Sequence, residues 1–195
     1  MTAPERPSLD SAPRRLLVVL FVVYLVLLVW IILWKLEIPY VGRAALLPRP
    51  IKLVPYAASG DYEASVPLEV VANVILFVPF GIYLRMLASR RRWWQLTGVF
   101  VGASLLLETV QHLISTGSFD TTDVIDNTLG GVVGLGVLAL ARRWLGGRAV
   151  AIVTRVCLIA GIVAVLAVAI FIASPLHYAA QRDVVVPRPA VSSAP

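Results

Sequence analysis

A chain of 195 residues that is 59% hydrophobic and only 14% charged, with a mean hydropathy of +0.87, is excluded from the ordinary soluble domains and falls among membrane proteins. In a soluble protein the net charge of +6 would suggest a nucleic-acid partner. Here the arginines stand between apolar runs, so the charge reads as orientation in a bilayer, and no nucleic acid is expected.

Residues 1–13 are polar, carry Pro4, Pro7 and Pro13, and read as a disordered tail. Arg14 and Arg15 then precede a charge-free run, residues 16–34. That run is too long for the apolar core of a signal peptide, and no small-x-small cleavage site follows it, so an uncleaved first span is expected. Residues 35–66 read as a long loop, with Pro39, Pro48, Pro50 and Pro55 opposing a helix. The loop is either a solvated linker or a functional element. Its Tyr40, Leu53, Tyr56 and Tyr62 suit a membrane surface, and Lys35, Arg43, Arg49 and Lys52 suit phosphates. Pro67 suits a first helical turn and opens a second span, residues 67–87. After the basic turn Arg90-Arg91-Arg92, spans are expected at 93–115, 120–144 and 150–173. Each is long enough to cross a hydrocarbon core of roughly 30 Å. Residues 174–195 read as a second disordered tail.

With the N-terminus inside, the inner segments hold Arg6, Arg14, Arg15, Arg85, Arg90, Arg91, Arg92, Arg142, Arg143, Arg148 and Arg155, eleven in all. The outer segments hold Lys35, Arg43, Arg49, Lys52, Arg182 and Arg188, six in all. The excess favours an all-α, polytopic protein of about five transmembrane helices, N-inside and C-outside.

Three of these spans then carry polar groups at one depth. Asn73 lies six residues past Pro67, Glu108 seven before Ser115, and Asn127 seven past Asp120. At 1.5 Å per residue each sits roughly 10 Å below the outer surface. Faces agree too. Glu69, Asn73 and Phe77 share one side of the second span; Ser104, Glu108, Gln111 and His112 share one side of the third. Asp123, Asn127, Gly130 and Gly134 share one side of the fourth, with Asp126 about 60° off that line. A carboxylate in lipid must pair, protonate or line a wet cavity, so an outward polar pocket of Asn73, Glu108, Gln111, His112, Asp123 and Asn127 is expected.

Plainer roles compete at each position. Asp120 suits an N-cap, and Asp123 suits the first helical turn. Asn73 and Asn127 could serve only as interhelical glue, and Gly130 with Gly134 as a close-packing pattern. His112 could merely satisfy a carboxylate. Glu108 is the hardest to dismiss, because its span holds no lysine or arginine. Glu108 to His112 is not a zinc helix, which needs two histidines four apart, and no G-x-S-x-G elbow occurs. Cys157 is a lone cysteine that permits neither a disulfide nor a metal-binding pair within the chain. No metal and no cofactor are expected.

Four segments carry a family resemblance: Leu53-Val-Pro-Tyr56; Asn73-Val-Ile-Leu-Phe-Val-Pro-Phe-Gly81; Glu108-x-x-Gln111; and Asp120-x-x-Asp123-Val-Ile-Asp-Asn127-Thr-Leu-Gly130. In this order, over about residues 50–140, they resemble the VanZ-like family of bacterial membrane proteins. Asn73, Pro79, Gly81, Glu108, Gln111, Asp123, Asn127 and Gly130 fall on its motif positions. Ser118 follows Gly117 where the family commonly has arginine, and Asp126 stands where an apolar residue is usual. The resemblance implies the bacterial inner membrane, the cell envelope and resistance to glycopeptides of the teicoplanin type. The expected partners are membrane lipids, including an envelope lipid or a glycopeptide-related ligand. The expected function is a binding protein for such a head group. An enzyme using Glu108 with His112 or Asp123, and a purely structural assembly partner, remain as alternatives.

Overall fold

A computed structural model of the chain describes residues 11–34, 51–56 and 67–173. Five α-helices follow one another: α1 (Ser11–Trp34), α2 (Pro67–Leu87), α3 (Trp93–Leu113), α4 (Thr121–Leu145) and α5 (Ala149–Ala173). No strand occurs among the described residues, and Lys52 makes one isolated bridge with Asp120. Four stretches are long and apolar enough to cross a membrane: Arg14–Trp34, Pro67–Leu87, Trp93–Leu113 and Thr121–Ala173. The last holds both α4 and α5, which are broken apart at the one-turn 3-10 helix Gly146–Arg148.

Gly146 makes that break. Its φ of 54° lies in the left-handed region that only glycine enters freely. Cys157 of α5 reaches back to the Tyr83 hydroxyl of α2. A helix continuing the line of α4 would carry Cys157 away from the bundle at 1.5 Å per residue. Helix α5 therefore doubles back. It stays peripheral, because Ala149 is its one buried residue.

Helices α2 and α4 form the tightest pair, and glycine is the reason. A Cβ on Gly130 would strike the carbonyl of Val74, one on Gly134 the carbonyl of Val78, and one on Gly81 the carbonyl of Gly131. Small residues four apart let two helix backbones touch where lipid gives no hydrophobic drive between helices. Gly131 meets the Phe100 ring of α3 in the same way. Around this seam Leu28, Leu33, Phe77, Phe80, Leu96, Phe100 and Leu107 form the core. Phe80 packs edgewise on Phe77 at 5.7 Å and tilts against Phe100 at 5.4 Å, offset geometries that aromatic quadrupoles favour.

Pro79 sits inside α2 and removes one rung of its hydrogen-bond ladder. Beside that gap Tyr24 of α1 donates to the Leu76 carbonyl at 2.6 Å, and the two helices are joined there. Helix α1 begins at Ser11, so the polar tail expected through residue 13 gives up its last three residues to the helix. Most of that tail, the tail 174–195, and the loop residues 35–50 and 57–66 lie outside the described residues.

Candidate functional site

The turn from α3 to α4 brings the polar residues together. Two residues past the end of α3, Ser115 takes a φ of 58° and reverses the chain without a glycine. The Gln111 carbonyl then accepts the amides of Thr116 (3.1 Å) and Gly117 (3.4 Å), and the strand of loop beyond is drawn back over α3. Asp120 caps α4 by accepting the Thr122 amide at 2.7 Å, the helix-start role its sequence position suggests. Its own backbone N–H donates to Glu108 Oε2 at 3.0 Å. The Glu108 carboxyl also stands against that of Asp123. Asp123 Oδ1 accepts from Asn73 Nδ2 of α2 at 2.8 Å. Helices α2, α3 and α4 thus meet through Asn73, Asp123 and Glu108.

A second branch lies deeper along α4. Asn127 Nδ2 donates to Ser104 Oγ at 2.9 Å, and that hydroxyl in turn faces the Asp123 carbonyl at 3.5 Å. Asp126 Oδ1 accepts the Tyr56 hydroxyl at 2.7 Å. Glu108, Asp126 and Asn127 are each only 1% exposed, so these polar side chains are covered by the helices and by residues 51–56.

Residues 51–56 lie across the start of α4. Lys52 accepts from the Thr121 amide (3.0 Å) and hydroxyl (3.1 Å) through its carbonyl and donates its amide to the Phe119 carbonyl at 2.9 Å. Its ammonium pairs with Asp120 at 3.0 Å, so it is not held free for a phosphate. The Tyr56 amide donates to Thr122 Oγ1 at 3.0 Å. Tyr56 takes a φ of 58°, and its hydroxyl comes down on Asp126.

That hydrogen bond to Asp126, aided by burial, pushes the Tyr56 phenol up to about 12. A folded value above the free phenol's, about 10, means the contact stabilises the fold fully below pH 10 and is lost as pH rises through 12. In a spectrophotometric titration at about 295 nm, the difference between wild type and Tyr56→Phe should step near pH 12. A step near 10 would mean the strap does not hold the ring against Asp126.

Of the residues expected in the site, Asn73, Glu108, Asp123 and Asn127 join one connected cluster. Gln111 faces another way: its Nε2 donates to the Ile32 carbonyl at 2.8 Å and ties α3 to α1. His112 is half-buried, and its Nδ1 has no hydrogen-bond partner among the described residues. Nothing there links it to Glu108. Lys52, Tyr56, Ser104, Thr122 and Asp126 complete the cluster without having been expected in it. Asp126 had a signal, standing where the family usually has an apolar residue. No group of three His, Cys, Asp or Glu placed to hold a metal ion occurs among the described residues.

Apolar helices gathered around a seam of glycine, with carboxyl and amide side chains enclosed at one end, define a helical membrane protein. A sequence profile of the VanZ/LLP1 family matches residues 21–142, well over half of the chain, and the chain belongs to that family. It is 32% identical over 124 residues to protein VanZ of Enterococcus faecium, a match covering 64% of this chain and 74% of that protein. The matched region ends as α4 closes, so α5 lies beyond it. No solved structure matches.

Proposed function

We propose that this chain crosses the bacterial inner membrane five times, N-terminus inside, and lowers sensitivity to glycopeptides of the teicoplanin type by engaging the head group of an envelope lipid or amphiphile. The observation that carries the reading is the junction of Asn73, Glu108 and Asp123, three polar side chains from three helices held at one end of the bundle. Enclosed carboxyl groups in lipid are costly and are retained where something is bound or moved. An acidic site favours a cationic or hydroxyl-rich group, or a divalent cation bridging to phosphate. The kinship with protein VanZ supports the reading.

The test is a susceptible bacterium expressing the wild type, Glu108→Gln or Asp123→Asn at equal membrane levels. The wild type should raise the teicoplanin concentration that stops growth several-fold, and both variants should return it to the empty-vector value. Variants that are normally inserted and fully protective would sink the reading. Variants that lose thermal stability yet keep protection would make the cluster a scaffold.

A further inference from the structure

Beneath residues 51–56, two neighbouring side chains of α4 are left short of donors. Asp126 spends Oδ1 on the Tyr56 hydroxyl, and its buried Oδ2 accepts nothing among the described residues. Asn127 gives its amide N–H to Ser104, and its buried Oδ1 likewise accepts nothing. Ser104 accepts that N–H at 2.9 Å, and its own hydroxyl faces the Asp123 carbonyl at 3.5 Å. A buried acceptor left empty forfeits its hydration without return, and native interiors seldom keep two side by side. Charge points the same way. Among the described residues, Glu108, Asp120, Asp123 and Asp126 bring four carboxyl groups together, and Lys52, paired with Asp120, supplies one ammonium. The arginines of α2 and α4 lie in the last turns of those helices, at the far end.

We infer that Asp126 and Asn127 form the recognition site for a primary ammonium group, which supplies both the missing positive charge and the missing N–H donors. This deepens the head-group reading above and rests on it. An ammonium has three donors on one compact centre, enough for Asp126 Oδ2, Asn127 Oδ1 and one further carboxyl oxygen. A quaternary ammonium carries the charge without N–H groups and leaves both acceptors empty. Asp126 is five residues inside α4, roughly 8 Å below its first residue, within reach of a head group at the interface. Tyr56, half-exposed and attached to Asp126 by one hydrogen bond, is the group the ligand displaces.

The experiment is native mass spectrometry of the full chain in detergent with an equimolar mixture of phosphatidylethanolamine, phosphatidylcholine and phosphatidylglycerol bearing identical acyl chains. Phosphatidylethanolamine should be retained about tenfold or more over both others, the effect of a charge-assisted hydrogen bond. Asp126→Asn should bring the three lipids to near parity. Tyr56→Phe, a change outside the helices, should raise phosphatidylethanolamine retention several-fold by removing the competing phenol, with the melting temperature read beside it as a check on the fold. Displacement of the lipid by millimolar free ethanolamine would assign the ammonium to a soluble amine; resistance to it would assign the lipid itself. Equal retention of phosphatidylcholine, or unchanged selectivity in Asp126→Asn or in Tyr56→Phe, would overturn the ammonium site. A preference for phosphatidylglycerol would overturn it while leaving the head-group reading standing, and no retained lipid at all would remove both.

Discussion

Gly134→Leu should abolish the folded protein, whereas Gly136→Ala on the same helix should be silent. A Cβ at 134 meets the Val78 carbonyl and the Gly81 backbone, and neither is a side chain that can rotate away. A Cβ at 136 meets nothing within 4 Å. Overpacking a core costs about 1–3 kcal/mol when side chains can adjust. Here whole helices must part, and the Gly130 and Gly81 contacts are lost with the one at 134. Gly134→Ala should therefore cost about 3 kcal/mol, and leucine should exceed the roughly 5–15 kcal/mol that holds a domain together. Yield of monodisperse protein and its melting temperature in detergent are the readouts. A leucine variant melting within a few degrees of wild type would mean α2 and α4 are not in backbone contact.

The second large effect belongs to Lys52. It is 7% exposed and its partner Asp120 is 17% exposed, so the pair lies mostly out of water. Removing one member of such a pair strands the other charge, which costs about 3–5 kcal/mol when both are fully buried. Lys52→Met should accordingly destabilise by about 2–4 kcal/mol. Asp120→Asn is the informative companion, because asparagine caps a helix as well as aspartate does and removes only the charge. The double variant should be more stable than the two losses summed. That surplus in a double-mutant cycle measures the ion pair itself. Strict additivity would place Lys52 elsewhere in solution.

The helices were legible because their signals are local. Unbroken apolar runs, Pro67 at the start of α2 and the arginines after α2 and α4 mark them residue by residue. The glycine seam was half visible, since Gly130 and Gly134 repeat every four residues, but nothing local joins them to Val74 and Val78. Glu108, Asp123, Asn73 and Asn127 could be brought together on depth and helical face alone. His112 and Gln111 follow Glu108 on that face and yet diverge, because a face spans more than one neighbour: Gln111 meets α1 and Glu108 meets the turn before α4. The strap was the least legible part. Residues 51–56 have no periodicity, and their partners in α4 are 66 to 70 residues away. Tyr56, whose hydroxyl reaches Asp126, also takes a positive φ for which the tyrosine gives no cue.

Helix α5 lies past the family match and buries a single alanine, so it adds little to the packed bundle. Its value is clearer during synthesis. Helix α4 carries Asp123, Asp126, Asn127 and a run of glycines, and aspartate is among the residues a translocon releases into lipid least readily. The three residues between the helices are too few to let α4 leave the channel far ahead of α5. The uncharged stretch after Arg155 gives the pair the hydrophobicity that α4 lacks by itself. A chain cut before Ala149 should therefore reach the membrane fraction in lower yield than the full chain, and an unchanged yield would show that α4 needs no help from α5.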